Sequence, residues 1–378
     1  MSLVTNSQAS HKQILLGGAT SSHSNHSPFA RAAIAFNTCI ATTGAAAYIK
    51  GLEIPDPALK ALLAASIQAS YKYFPELLVP YDWLSHESDR LAEDPQHLME
   101  IQYNLPRTLF QLMLGEGTLL YPKYTMALWE KGANTLEQAQ LHMLDDVIEK
   151  LGIEDSDEIL DLGCGWGAAS NYLLAKFPHV KITAMNLSHE QCEYIRQKMQ
   201  SPESHLSSDR FTLLEADFNE VQFETKFDKI MAIGLFEHIG NLTKSCQKLA
   251  PYLNEQGKVF IHIISTQLPH NITHPFLNQY IFPSGRVWNC DVLPQINQDL
   301  KTINQWYING SNYAQTLRAW LKNFDDNQAQ LQGLNYGMSY SEFRRMWRLY
   351  LLLCIQLFEA GVGKVLGNAQ YLLIHSNN

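Results

Sequence analysis

From about Pro57 to Gly132 apolar residues recur at helical spacing, as in ALKALLAASIQASYKYF and DPQHLMEIQYNLPRTLFQLML, with breaks at LVPYDWL and LPR. This pattern predicts a helical N-terminal lobe. LEQAQLHMLDDVIEKLGI then reads as an amphipathic helix, with Thr135 as its N-cap and Glu137 in its first turn. A hydroxyl and a carboxylate there offset the unpaired N–H groups and the positive end of the helix dipole. Beyond it short apolar runs alternate with helical ones: EILDLG, KITAMNLS, FTLLEAD, FDKIMAIG, a helix near 241–253, and GKVFIHIIS. Strands alternating with helices predict an α/β domain built on a mostly parallel, doubly wound sheet. Near Thr266 the rhythm breaks into an insertion carrying NQYIFPSGRVWN. A further strand TINQWYI, helices at 313–322 and 341–360, and a closing strand AQYLLIH follow. The expected division is a disordered polar leader at 1–27, a helical domain at 28–134, and the α/β domain at 135–378 with a covering insertion around 266–300.

With 378 residues, 46% hydrophobic and 17% charged, the chain can bury a full core. RAAIAFNTCIATTGAAAYIK is apolar, but Asn37, Thr38, Thr42 and Thr43 interrupt it, which favours a buried or interfacial helix over a membrane span. A net charge of -9 argues against a nucleic-acid partner, which needs a basic surface. The 6 cysteines lack CxxC or CxxH spacing, so neither a metal site nor a disulfide framework is indicated, and a reducing cytoplasm suits them.

The chemistry begins at EILDLGCGWGAAS, where a strand runs through Asp161 into Gly163, Gly165 and Gly167. Gly163, Gly165 and Ala168 satisfy the loose dinucleotide pattern, so a Rossmann dehydrogenase is one reading. Against it, Trp166 puts a large ring in the turn, Asp161 would meet a diphosphate with like charge, and the next strand ends in Asn186 instead of an acid. A phosphate-free zwitterion fits better. S-adenosylmethionine carries cationic sulfonium and ammonium groups and an anionic carboxylate, so an acidic strand end beside backbone N–H groups serves both charges.

LDLGCGWG resembles the first motif of class I S-adenosylmethionine-dependent methyltransferases, whose Rossmann-like sheet is the fold it implies. YTMALWEKGANTLEQAQ, NLSHEQ, GLFEHIGN, VFIHIIS and NQYIFPSG narrow the likeness. Together they resemble the cyclopropane fatty acid synthase family, with its mycolic acid cyclopropane synthases and coclaurine-type N-methyltransferases, over about residues 100–378. The resemblance implies that Tyr124, Thr125, Asp161, Gly163, Gly165, Gly167, Asn186, Gln191, Asp217 and Phe218 bind S-adenosylmethionine. Phe218 reads alternatively as core.

The same resemblance implies a catalytic group of Glu237, His262 and Tyr313. These hold a bicarbonate base together with the backbone amides of Met126 and Ile264, Met126 standing where the family has cysteine. A desolvated Glu237 with a raised pKa would donate a hydrogen bond to that anion. Glu237 and His238 also read as an acid–base pair for an amine acceptor, although the N-methyltransferases' additional acid falls at Gly234. His238 reads otherwise as a cap for the next helix. Two acceptors stay open: an unsaturated phospholipid acyl chain at a membrane surface, giving a cytoplasmic, peripheral lipid-biosynthesis enzyme, or a small amine. A non-catalytic sensor of the nucleoside is a third reading, and a homodimer is compatible with each. The helix at 341–360 reads as an acyl-channel wall or a plain buried stripe, and Arg344, Arg345 and Arg348 as lipid-phosphate contacts or a solvated face.

Overall fold

The structure is a computed structural model and describes residues 39, 41–73, 79–80, 91–92, 105–268, 270–271, 274–282, 287–296 and 298–377. The leader at 1–27, most of the helical run between 81 and 104, and residues 283–286 of the insertion lie outside the described residues.

The α/β domain contains an eight-stranded sheet. Its principal strands are β1 (Glu158–Leu162), β2 (Lys181–Asn186), β3 (Phe211–Glu215), β4 (Phe227–Ile233), β5 (Leu253–Thr266), β6 (Leu300–Ile308) and β7 (Leu366–His375). They lie in the order β3-β2-β1-β4-β5-β7-β6, with Trp288–Asn289 pairing alongside β5. Pairs from β3 to β5 are parallel, and β7 is antiparallel to both of its neighbours. This is the Rossmann-like sheet of class I methyltransferases.

The principal helices among the described residues are α1 (Asp56–Tyr73), α2 (Arg107–Leu114), α3 (Leu136–Leu151), α4 (Ala168–Lys176), α5 (His189–Met199), α6 (Leu242–Leu249), α7 (Pro275–Tyr280), α8 (Ser311–Asp326) and α9 (Tyr340–Glu359). Thr135 caps α3 by accepting the Gln138 N–H at 3.2 Å, Glu137 lies in the first turn, and Gly152 ends the helix in the left-handed region. Helical periodicity overreached upstream: residues 115–135 hold no helix, and their backbone is tied to α8 instead. Helix α1 packs on α9 and α2 on α8. No helix among the described residues is long and apolar enough to cross a membrane.

Strand β7 begins at Leu366, ahead of the expected AQYLLIH. Asn368 and Gln370 are both buried, and such polar residues disguise an interior strand whose side chains find partners on its neighbours. Two arginines of α9 are internal clamps: Arg348 pairs with Asp325 and Asp56, and Arg344 lies 2.8 Å from Asp325.

Candidate active site

Gly163, Gly165 and Gly167 have φ of 76°, 57° and 79°, so the turn after β1 needs the left-handed region at alternate positions, which glycine enters freely. Space is also restricted, because a Cβ on Gly167 would lie 3.2 Å from Leu206 and one on Gly163 3.2 Å from Leu235. The Gly163 and Cys164 amides anchor the turn to the Met185 carbonyl of β2. Trp166 points into the core between Phe110 and Tyr194, so its ring braces the turn from behind.

A cleft of about 1110 Å³, counted to its open mouth, lies over this turn. Tyr124, Thr125, Asp161, Gly163, Gly165, Asn186, Gln191, Asp217 and Phe218 all line it; Gly167 stands just behind, at the N-cap of α4. Asp161 is buried and accepts the Ser170 hydroxyl at 2.7 Å, and burial raises its pKa to about 7. A cation in the cleft would favour its charged form. Asn186 donates to Gln191 Oε1 at 2.7 Å and to the Gly165 carbonyl at 3.1 Å, so this pair stiffens the turn. Asp217 accepts both nitrogens of Asn219 in a local turn, and Phe218 is cleft wall and core at once.

An adjoining cavity of about 980 Å³ brings together Met126, Glu237, His238, His262, Ile264 and Tyr313. The two spaces share Tyr124, Thr125, Gly234 and His238 as a common wall. Most of the remaining lining is apolar or aromatic, including Leu277, Phe282, Val287, Tyr350, Leu357 and Phe358. Helix α9 therefore lines the cavity along one side while its other residues join the core.

Glu237 Oε1 accepts the Ile264 N–H at 2.8 Å, whereas Oε2 is buried without a partner. Desolvation raises this carboxyl to about 7, so near neutrality it is half protonated. His238 stacks on Phe282, and burial lowers its pKa to about 4. It does not cap the following helix, because Asn241 does so by accepting the Lys244 N–H at 2.9 Å. His262 is buried on β5, with desolvation lowering its pKa to about 3. Tyr313 packs on Phe358 with ring centroids 4.3 Å apart.

Several supporting residues escape a reading of the sequence alone. Lys123, buried and lowered to about 7 by desolvation, donates to the Met126 carbonyl at 2.6 Å. Asn312 accepts the Trp129 and Glu130 amides at 2.8 and 3.1 Å, and Thr316 the Ala127 amide at 3.0 Å. These bonds pin the Ala127–Glu130 segment against α8, and the ring of Tyr124, just before it, packs on Trp320 of the same helix. Asn368 and Gln370 reach His262 from β7, and their alternate spacing in an apolar strand was the available clue.

A family model described as mycolic acid cyclopropane synthetase matches residues 92–367. The (S)-coclaurine N-methyltransferase of Papaver somniferum is 26% identical over 281 residues, covering 71% of this chain and 78% of that protein. The cyclopropane-fatty-acyl-phospholipid synthase of Escherichia coli K12 is 28% identical over 261 residues, covering 68% and 63%. A crystal structure of coclaurine N-methyltransferase bound to N-methylheliamine and SAH superposes with a TM-score of 0.76 at 20% identity, covering 88% of this chain and 99% of that one.

Proposed function

This chain belongs to the mycolic acid cyclopropane synthetase family and is an S-adenosylmethionine-dependent methyltransferase, and from that premise we propose that its acceptor is an unsaturated acyl chain, which it converts as cyclopropane fatty acyl phospholipid synthases do. The observation that carries this reading is Gly234. Its φ is 75°, and a Cβ there would lie 2.7 Å from Thr125 Cγ2, so this wall has no room for the additional acid of the N-methyltransferases. The largely apolar, aromatic cavity suits a hydrocarbon chain.

S-adenosylmethionine, when bound, supplies an electrophilic methyl group on a sulfonium. The residues that would hold it are those of the cleft over the glycine turn, with Asp161 as counter-charge and the amides of Gly165 and Trp166, which the turn does not spend internally, toward its carboxylate. Tyr124 and Thr125, pinned by α8, keep acceptor and donor within one residue's thickness, and such alignment contributes up to about 7–11 kcal/mol to rate. Attack by the alkene carbon would form a C–C bond as the methyl–sulfur bond breaks and the neutral thioether S-adenosylhomocysteine leaves, and the resulting carbocation would have to lose a proton from the new methyl to close the ring. Apolar walls shield that cation from water. Glu237, Tyr313 and the Met126 amide would hold a bicarbonate, which would supply the base; the Ile264 amide is engaged by Glu237 Oε1 and orients that carboxyl, and His262 supports the same wall through β7. The unpartnered Glu237 Oε2 fits this role, since its protonated form donates to an anion.

One observation favours the amine as a second reading: His238 borders both spaces, and burial keeps its imidazole in the unprotonated, proton-accepting form. The test supplies methyl-labelled S-adenosylmethionine with unsaturated phospholipid vesicles and, separately, a panel of secondary amines. Label in acyl chains that each gain one CH₂ supports the proposal; label in an amine alone overturns it.

A further inference from the structure

His262 is held between two side-chain amides of β7, and only one arrangement of protons satisfies them. Gln370 stands directly opposite His262 in the antiparallel register, and Asn368 stands opposite Ile264, so all lie on one face of the sheet. As placed, Gln370 Nε2 lies 3.2 Å from His262 Nδ1 and Asn368 Nδ2 lies 3.1 Å from His262 Nε2. Both contacts set an amide NH₂ against a ring nitrogen. A neutral imidazole has one N–H and one acceptor, so it cannot accept at both.

Gln370 cannot be the amide that turns. Its Oε1 accepts from Lys150 Nζ at 2.5 Å, and its Nε2 donates to Asp146 Oδ2 at 3.2 Å. Turned over, its NH₂ would face an ammonium, which only donates, and its oxygen a carboxylate, which only accepts. Lys150 and Asp146 are themselves paired at 2.7 Å, and Lys131 reaches Asp146 at 3.2 Å. Asn368 has no such constraint. Its Oδ1, as placed, is buried without a partner.

We propose that Lys150 and Asp146, acting through Gln370, are positioning residues that lock His262 as its Nε2–H tautomer and so turn Asn368 to accept that proton with its oxygen. The Asn368 NH₂ then becomes a donor in the cavity that Asn368 lines, where it waits for an acceptor oxygen on a ligand. An imidazolium, with two N–H groups, is excluded by the same lock, because Gln370 already donates to Nδ1. The strong lowering of the His262 pKa by burial agrees. His262 is thus a fixed link in a hydrogen-bond chain and not a proton-abstracting base. The inference rests on the proposed function only in taking this cavity as the acceptor's; the tautomer holds whichever acceptor enters.

The test is nitrogen NMR on the full chain labelled with ¹⁵N-histidine, using two-bond correlations that distinguish the tautomers, with His262 assigned by its loss in His262→Gln. The wild type should show a proton on Nε2 and a bare Nδ1 between about pH 6 and 8. A proton on Nδ1, or an imidazolium, overturns the proposal. Lys150→Met and Gln370→Met should convert the single tautomer into a mixture while S-adenosylmethionine still binds. An unchanged tautomer in both, with circular dichroism showing them folded, refutes the lock. Should Gln370→Met fail to fold, the wild-type spectrum and Lys150→Met decide, and neither depends on identifying the acceptor.

Discussion

Gly234 and Thr125 meet so closely that a single added carbon on the glycine would lie 2.7 Å from the threonine methyl. With a positive φ at the same position, Gly234→Ala faces both steric overlap and backbone strain, together about 2–4 kcal/mol. Thermal unfolding should show that loss. Thr125→Ser, which removes the contacting methyl, should restore part of it in the double variant. Equal losses with and without Thr125→Ser would place the strain elsewhere.

Asp161 makes cofactor binding pH-dependent. Burial raises its pKa to about 7, and a cationic ligand prefers the ionised form, so affinity for S-adenosylmethionine should fall as pH drops through 7 toward 5. Calorimetry at pH 8 and pH 5.5 checks this in the wild type and in Asp161→Asn, whose affinity should be weaker and much less dependent on pH. A wild-type affinity constant across that range would contradict it.

Glu237 makes stability pH-dependent in a definite direction. Its folded pKa of about 7 exceeds its unfolded value, so the folded state retains a proton that the unfolded state loses as pH rises from about 4.5 to 7. Its contribution therefore falls across that window, by an amount of order 3 kcal/mol at most. Glu237→Gln, a neutral isostere, should be more stable than wild type at pH 8 and nearly equal at pH 4.5. Cofactor affinity should persist while turnover drops about 10²–10⁴-fold. Retained turnover would remove Glu237 from the chemistry.

Asn312 holds the backbone amides of Trp129 and Glu130, in the segment that follows the shared wall residues Tyr124 and Thr125. In Asn312→Ala both lose a partner, at roughly 1–3 kcal/mol each. Denaturant unfolding should register the loss, and the Michaelis constant for the acceptor should rise as the wall loosens. Asn312→Asp keeps the accepting oxygen but sets its other oxygen against Glu130 Oε2 and the Asn309 carbonyl, to which the Asn312 NH₂ donates at 3.0 and 3.2 Å, so it should recover only part of the stability.

The parts of the site legible in the sequence were those with a local cause. A glycine triplet with left-handed φ, an N-cap at Thr135 and a strand carrying Asp161 near its end each follow from a few neighbouring residues. Glu237, His262 and Tyr313 could be nominated through resemblance, but their meeting in one cavity depends on β4, β5 and α8 being assembled. What stayed hidden had its reason far away in the chain. Lys123 looks like a surface residue until its carbonyl partners are seen, and Gln370 looks like a flaw in a strand until Lys150 and Asp146 surround it. Asn186 and Gln191, nominated for S-adenosylmethionine, also bond one another, a pairing their spacing allows but does not announce.

The partition made by Tyr124, Thr125, Gly234 and His238 belongs to both chambers at once. Any displacement that one occupant imposes on it is felt by the other, and thermodynamics requires the influence to be equal in both directions. On the proposed assignment of donor and acceptor to these chambers their affinities are coupled, and a constant measured with the neighbouring chamber empty should differ from that of the enzyme at work.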